Sequence, residues 1–477
     1  MGEEIRSSEF SQQDFAIFKR KLEAETATLS EFFATQGFAR SHPVAGFELE
    51  AWLIDDTLRP VPRNEEFLSR FNNPLASPEL ASFNIEVNTE PRSLQGHVFS
   101  AMHQSLDATW QACRDTAHAM GIDVIMCGIL PSLVDADLTL ANMSCMQRYR
   151  ALNREVIQRR KGKPLVLDIN GVEHLRVTHH DVMLESAATS FQLHTQINQE
   201  QAARLYNASQ ILSAPMVALC ANSPYLFGKD LWDETRIPLF EQAVAIGGYD
   251  AAAFGPLRRV TFGSGYVRES LLECFIENLE HYPVLLPVNL DNNSATLPHL
   301  RLHNGTIWRW NRPLIGFDQA GEIHLRIEHR VIPSGPTTLD AVANAAFYYG
   351  AVTALINLTM PAELQLQFDK ARDNFYRAAQ LGLRAQLHWF ENKTYPATEL
   401  LLNVLLPMAQ EGLHQLGVAS SDIHEYLGII QRRLETGSNG AVWQRAFVNK
   451  HGRDMQALTA AYFQHQNSDA PVHEWKV

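Results

Sequence analysis

A chain of 477 residues, 45% hydrophobic and 19% charged, is long enough to bury a sizeable core, and its composition is neither disordered nor fibrous. Its formal net charge of −13 argues against nucleic acid as a partner, because that affinity rests on Lys and Arg neutralising phosphates. Five scattered cysteines without a CxxC pair, a polar acidic start and no apolar run long enough to span a bilayer predict a reduced, soluble, cytoplasmic protein with no membrane partner.

Apolar spacing at Phe15, Phe18, Leu22, Leu29, Phe32 and Phe33 predicts a helix over about 12–33. Strands follow over 46–53 and 81–90, the second stopped by Pro91. The stretch 98–120 reads as a helix ending at Gly121, and 122–127 as a buried strand. After a strand over 190–197, Asn198 and Gln201 have capping-box spacing for a helix that runs to about Cys220 and breaks at Asn222-Ser223-Pro224. Ser264 is placed to cap another helix, through about Leu279. Residues 299–313 and 322–332 read as two strands in a hairpin-like pairing. Beyond Pro336 the pattern is helical: 340–360 up to Pro361, then 363–466 with breaks at 394–396, 417–421 and 437–440. The expected division is an N-terminal helical segment (1–40), a central α+β unit (41–361) and a helical C-terminal region (362–477), the sheet antiparallel because strands cluster without βαβ alternation.

Four strands carry polar groups at every second position, which places those groups on one face. Glu48 and Glu50 alternate with Phe47, Leu49 and Ala51; Asn84, Glu86, Asn88 and Glu90 with Phe83, Ile85 and Val87. Gln192, His194 and Gln196 share a face, as do Arg326, Glu328 and Arg330. One such strand is an ordinary half-exposed edge. Four without a lysine, the usual filler of a solvated strand face, suggest an organised concave surface. If Glu48, Glu50, Glu86, Glu90 and Glu328 converge they repel unless cations lie between them, and oxygen ligands favour Mg²⁺ or Mn²⁺. Arg326 and Arg330 add fixed positive charge suited to phosphate. Carboxylates, divalent metal and arginine together are what phosphoryl transfer from ATP requires, and no P-loop or Rossmann glycine turn is present to hold a nucleotide otherwise.

These segments resemble the glutamate–cysteine ligases. Gly46-Phe47-Glu48-Leu49-Glu50 is similar to the family's opening G-x-E-x-E strand, and Ile85 to Pro91 to its second acidic strand. Ser190 to His194 resembles the strand whose Gln or His faces metal and nucleotide. Ala221-Asn222-Ser223-Pro224 with Gly228 and Thr235-Arg236 resembles the segment after the central helix, and Leu325 to Arg330 the late strand. The resemblance, over roughly 46–344, implies a glutamine-synthetase-like fold: a curved antiparallel sheet forming a funnel wrapped by helices. It implies a ligase in which ATP phosphorylates the γ-carboxylate of glutamate and an amine, that of cysteine in the family, attacks the acyl phosphate. On this basis Glu48, Glu50, Glu86 and Glu328 are expected metal ligands, with Glu90 added from the strand pattern. His194 and Gln192 are expected at metal or nucleotide, Arg330 at the transferring phosphate, and Arg236 at a substrate carboxylate or phosphate.

The stretch 301–313 has only a loose counterpart in the family. Its Arg309 and Arg312, interleaved with Trp308 and Trp310, either contact nucleotide or acceptor or form a packed hairpin of stacked Arg and Trp. No cysteine-recognition motif is present, so the amine stays open, and a homo-oligomer is compatible with the sequence. His179-His180-Asp181 reads as a polar turn, since adjacent residues point apart, and the basic segment beginning at Arg148-Tyr149 as a solvated helix face within reach of substrate. Phosphate transfer to a guanidino nitrogen on the same fold, or a non-catalytic relative, are the competing readings. The intact Glu48, Glu50, Glu86, Glu328 and Arg330 argue against the latter.

Overall fold

The computed structural model describes residue 5 and residues 8–246, 258–290, 294–318 and 320–477, so part of the expected N-terminal segment (1–4, 6 and 7) lies outside the described residues. In chain order the principal elements are α1 (Gln12–Thr35), β1 (Val44–Ile54), β2 (Ala76–Pro78), β3 (Asn84–Asn88), β4 (Arg92–Ser93), α2 (Val98–Ala119), β5 (Asp123–Ile125) and α3 (Gln147–Arg159). They continue with β6 (Leu165–Asn170), β7 (His174–His179), β8 (Phe191–Ile197), α4 (Gln199–Cys220), α5 (Leu272–His281), α6 (Pro298–Gly305), β9 (Asn311–Phe317), β10 (Ile323–His329) and α7 (Thr338–Ile356). Last come α8 (Phe368–Leu381), β11 (Gln386–His388), β12 (Thr394–Pro396), α9 (Leu406–Gln415), α10 (Ser420–Thr436), α11 (Gly440–His451) and α12 (Met455–Gln466).

The four chemically loaded strands are neighbours. The main sheet runs β9-β10-β8-β1-β3-β2, antiparallel throughout, with β4 and β5 paired to the two ends of β1. Alternation then sorts its faces. Phe47, Leu49, Ile85, Val87, Phe191, Leu193, Leu325 and Ile327 are all buried in one core. Helices α4 and α7 cover that face: Tyr349 of α7 donates to the His194 carbonyl at 2.9 Å, Ser209 of α4 and Tyr348 share a hydrogen bond of 2.8 Å, and Asn311 donates to Ser213 at 2.8 Å. Helix α7 is the one helix among the described residues long and apolar enough to cross a membrane, and 94% of that apolar window is buried inside the fold.

Local signals explain several boundaries. Ser11 and Asp14 close a capping box on α1, its backbone N–H reaching Asp14 Oδ2 at 2.7 Å. Thr337, Asn439 and Asp454 cap α7, α11 and α12. Other expectations fail for identifiable reasons. Residues 298–305 form α6, not a strand: Pro298 sits in its first turn, and His299, Leu300, His303 and Asn304 are buried at helical spacing. Asn198 stands at the start of α4 but makes no capping bond, because its side chain accepts from the Ser41 N–H at 3.0 Å. The helix expected after Ser264 begins only at Leu272. The C-terminal region is not wholly helical, since β11 and β12 form a hairpin.

The C-terminal helices are built into the same core. At the α7–α9 crossing Gly350 and Gly412 meet so closely that a Cβ on the first would lie 2.2 Å from the Ala409 carbonyl oxygen, and one on the second 1.9 Å from the Gly350 oxygen. Asn222 ties α4 to the tail by donating to the Ser334 carbonyl (2.8 Å) and Tyr462 Oη (2.7 Å) and accepting from Gln444 (3.0 Å). Overpacking typically costs ~1–3 kcal/mol. Gly350→Ala or Gly412→Ala should therefore lower the melting temperature by several degrees in thermal denaturation, while Gly265→Ala, with open space around its Cβ, should leave it unchanged.

Candidate active site

Register carries the polar groups of the sheet into one array. Arg312 lies opposite Glu328, Glu328 opposite His194, Gln192 opposite Glu48, and Glu50 opposite Glu86. Directly opposed residues share a face, so five strands present one continuous charged surface. It lines a cavity of about 300 Å³ whose walls also carry Glu79, Arg148, Tyr149, Glu185, Arg301, Trp308, Arg326 and Arg330.

Glu328 anchors the positive side. Arg312 grips it with two parallel bonds, Nε to Oε2 at 2.7 Å and Nη2 to Oε1 at 2.9 Å, and Arg330 Nη1 adds a third at 3.0 Å. Burial alone would raise this carboxyl, but the charges of Arg312, Arg330 and His194 hold it well below the usual range. Arg330 also donates to Gln192 Oε1, and Gln192 Nε2 donates to Glu50 at 2.9 Å. Ser190 completes the cradle of Glu50 through its backbone N–H (2.6 Å) and hydroxyl (2.9 Å). One amide thus fixes the spacing between the arginine and the next acid.

A metal-sized cluster lies beside this clamp. One ligand atom each from Glu48, His194 and Glu328 falls within 4.8 Å of the others. His194 Nε2 stands 2.8 Å from Glu48 Oε1 and 3.9 Å from Glu328 Oε1, yet neither ring nitrogen of this buried histidine makes a hydrogen bond. A buried imidazole set between two acids, with Nδ1 free of any hydrogen bond and Nε2 facing the Glu48 carboxylate, fits a cation site. A carboxylate offers about four lone-pair sites, so Glu328, accepting three bonds from Arg312 and Arg330, still has capacity to ligate. Burial raises Glu48, but His194 outweighs it and holds the carboxyl at about 2. Glu48 is therefore ionised.

The opposite wall is acidic, with Glu50, Glu79, Glu86 and Glu185 outnumbering the lining arginine Arg148. Burial, then the Glu79 charge, pushes Glu50 up to about 7 against Arg330 and the Ser190 bonds. Glu86 is raised well above the usual range by burial and by Glu48 and Glu79. It accepts from Asn88 at 2.8 Å and is hydrogen-bonded to Glu79, itself raised by burial against the pull of Arg148. Glu185, on the turn Met183–Ala187, reaches about 8 through burial and the charges of Glu79 and Glu50.

The structure thus brings together Glu48, Glu50, Glu86, Gln192, His194, Arg312, Arg326, Glu328 and Arg330. Three expectations fall away. Glu90 lies beyond the end of β3 in an exposed connection, outside the cavity. Arg309 is buried against Asn278 (2.6 Å), Glu277 and the Tyr282 ring, a packing role. Arg236 is spent on Glu234 (3.0 Å) and on the backbone carbonyls of Arg330 (3.3 Å) and Val331 (2.6 Å), so it braces the end of β10 rather than facing the cavity. His179, the last residue of β7, is held between Asp135 (2.8 Å) and Asp181 (3.7 Å) and does not line the cavity. Glu79 and Glu185 also line the cavity but carry no sequence signal, because neither lies on an alternating strand.

The sequence over residues 44–461 matches glutamate–cysteine ligase family 2. A curled antiparallel sheet with a charged concave face, in a chain so matched, defines a carbon–nitrogen ligase of the glutamate–cysteine ligase type. The chain belongs to glutamate–cysteine ligase family 2. Among solved structures, the glutamate–cysteine ligase of Francisella tularensis in complex with AMP is 11% identical, with a TM-score of 0.53 covering 91% of this chain and 90% of that one. That likeness establishes the glutamine-synthetase-like fold expected from the sequence. A bifunctional glutathione synthetase from Pasteurella multocida is 12% identical, with a TM-score of 0.49 over 92% of this chain and 54% of its own. No curated protein matches the sequence significantly.

The raised acids give a pH dependence. Unfolded carboxyls titrate near ~4.3 and unfolded histidines near ~6.5, so above pH 7 the unfolded chain no longer binds those protons while folded Glu50 (about 7) and Glu185 (about 8) still release them. Their stabilising contribution, whole at low pH, is lost as pH rises through those values. Scanning calorimetry of the metal-free protein should show the melting temperature falling from pH 7 to 8.5. Mg²⁺ should raise it more at pH 8.5 than at pH 7, because a cation in the cavity favours the ionised acids.

Proposed function

We propose that the protein is a cytoplasmic, ATP- and Mg²⁺-dependent ligase that phosphorylates a carboxylate, the γ-carboxylate of glutamate or of a similar acid, and couples it to an amine such as that of cysteine, releasing ADP and phosphate. The observation that carries this reading is the Arg312–Glu328–Arg330 clamp beside the Glu48–His194–Glu328 cluster, in one cavity of a chain from this ligase family. Nucleotide use is supported further by the AMP held in the Francisella tularensis enzyme of like fold.

In this scheme Glu48, His194 and Glu328 hold Mg²⁺, for which Mn²⁺ can substitute, with Glu50 and Glu86 facing them across the sheet. The bound cation supplies charge neutralisation for the triphosphate. Arg326, whose side chain makes no hydrogen bond or ion pair among the described residues, is available for a polyphosphate oxygen, and its Nε is buried without a partner. Arg330, locked by Glu328 and Gln192, faces the transferring phosphoryl group and stabilises the charge it gathers without having to reorganise. A carboxylate oxygen of the acid attacks the γ-phosphorus and ADP leaves. The amine nitrogen then attacks the acyl carbon, phosphate departs with the bridging oxygen, and the nitrogen gives up a proton as the amide forms.

ADP release measured with glutamate and a panel of amines should require acid, Mg²⁺ and ATP together. Arg330→Lys keeps the charge but loses the planar fork. It should lower kcat by roughly 100-fold, the scale of one lost transition-state donor, with little change in the KM for ATP. ADP release independent of any acid, or no turnover with any acid–amine pair, overturns the reading.

A further inference from the structure

The cavity is polarised. Arg301, Arg312, Arg326 and Arg330 come from α6, β9, β10 and the residue after β10, whereas Glu79 and Glu185 stand on the opposite wall, where Arg148 is the cavity-lining arginine and is engaged with the Tyr149 hydroxyl at 2.7 Å. Two of the half-buried charged side chains in the lining make no hydrogen bond or ion pair among the described residues: Arg326 on the first wall and Glu185 on the second. The proposed chemistry assigns phosphate to Arg326 and leaves Glu185 unused.

We infer that Glu185 is the docking group for the acceptor, its carboxylate receiving the incoming amine as an ammonium ion and taking the proton that frees the nitrogen to attack; this rests on the ligase reading above and adds the site and charge state of the second substrate. Place and chemistry both support it. Glu185 lines the same cavity as Arg330, the group that faces the transferring phosphate, and as Glu50. Burial and the neighbouring Glu79 and Glu50 make this carboxyl hard to ionise alone, and an arriving cation relieves both penalties. A metal ion is the weaker occupant. The compact three-ligand cluster among the described residues is Glu48, His194 and Glu328, and Glu185 does not belong to it. Leu80, Tyr149 and Leu152 line the same cavity and give apolar surface for a short organic stem.

The test uses the whole protein with ATP, Mg²⁺ and glutamate, comparing wild type with Glu185→Gln and Glu185→Asp. Hydroxylamine, uncharged at neutral pH, is an acceptor that needs no anionic docking group. Amino acids and alkylamines, cysteine among them, arrive as ammonium ions. Losing a hydrogen bond to a charged group is worth about tenfold or more in affinity. Glu185→Gln should raise the KM of the best ammonium acceptor by at least that factor while hydroxamate formation stays within about twofold, and Glu185→Asp should restore most of the loss. An unchanged acceptor KM overturns the inference, as does equal loss with both kinds of acceptor, which marks a metal-binding or structural role. A wild type that uses hydroxylamine but no ammonium acceptor overturns it as well, leaving the ligase reading intact. A wild type that forms no hydroxamate removes the ligase reading and this inference with it.

Discussion

Glu328 sits where two arginines, a histidine and three strands converge. Its carboxylate is almost wholly buried, and a buried charge is tolerated only when it is paired and hydrogen-bonded. Arg312 and Arg330 meet that condition, and in doing so they are themselves immobilised. The same carboxylate then borders the Glu48–His194 pair and, through Arg330 and Gln192, sets the position of Glu50. A chain of direct contacts therefore runs from β9 across β10 and β8 to β1, and the polar face behaves as one preorganised unit. Preorganisation is what electrostatic catalysis needs, because dipoles and charges already in place do not have to reorient as charge develops.

That face is expensive to build, and the rest of the molecule can be understood as its support. The other side of the sheet is mainly apolar and packs on α4 and α7. Glycines at the α7–α9 crossing let the C-terminal helices close on α7 at backbone distance. Asn222 and Arg236 hold the segment after β10 by its carbonyls, which keeps Arg330 aimed into the cavity. Residues that look catalytic in the sequence, such as Arg236, thus work one step away from the chemistry, through backbone geometry.

What was legible in the sequence follows from periodicity. The period-2 alternation of β1, β3, β8 and β10 announced both the strands and the face they share, because a half-buried sheet imposes that pattern. Convergence across strands was open until register was known. The failures occur where period stops carrying information. Beyond Asn88 the alternation continues in the letters but the strand has ended, which strands Glu90 in solvent. Arg309 and Arg312 are three positions apart and so of opposite parity, and the structure keeps that split, Arg309 in the core and Arg312 lining the cavity; only the neighbouring tryptophans group them in the sequence. Glu79 and Glu185 reach the cavity from a strand end and a single turn, and only the tertiary fold brings them there.

The two walls of the cavity divide the labour that a two-substrate ligase requires. The arginine side suits ATP as it gives up a phosphoryl group, and the acidic side suits a cation that becomes the nucleophile once it has lost a proton. The claim joining them is that a carboxylate is activated by taking phosphate from ATP. Running the reaction with acid labelled with ¹⁸O in its reacting carboxylate, and analysing the released inorganic phosphate by mass spectrometry, tests that claim directly. One labelled oxygen should appear in phosphate for each ligation. Phosphate free of label, with turnover intact, would contradict the account.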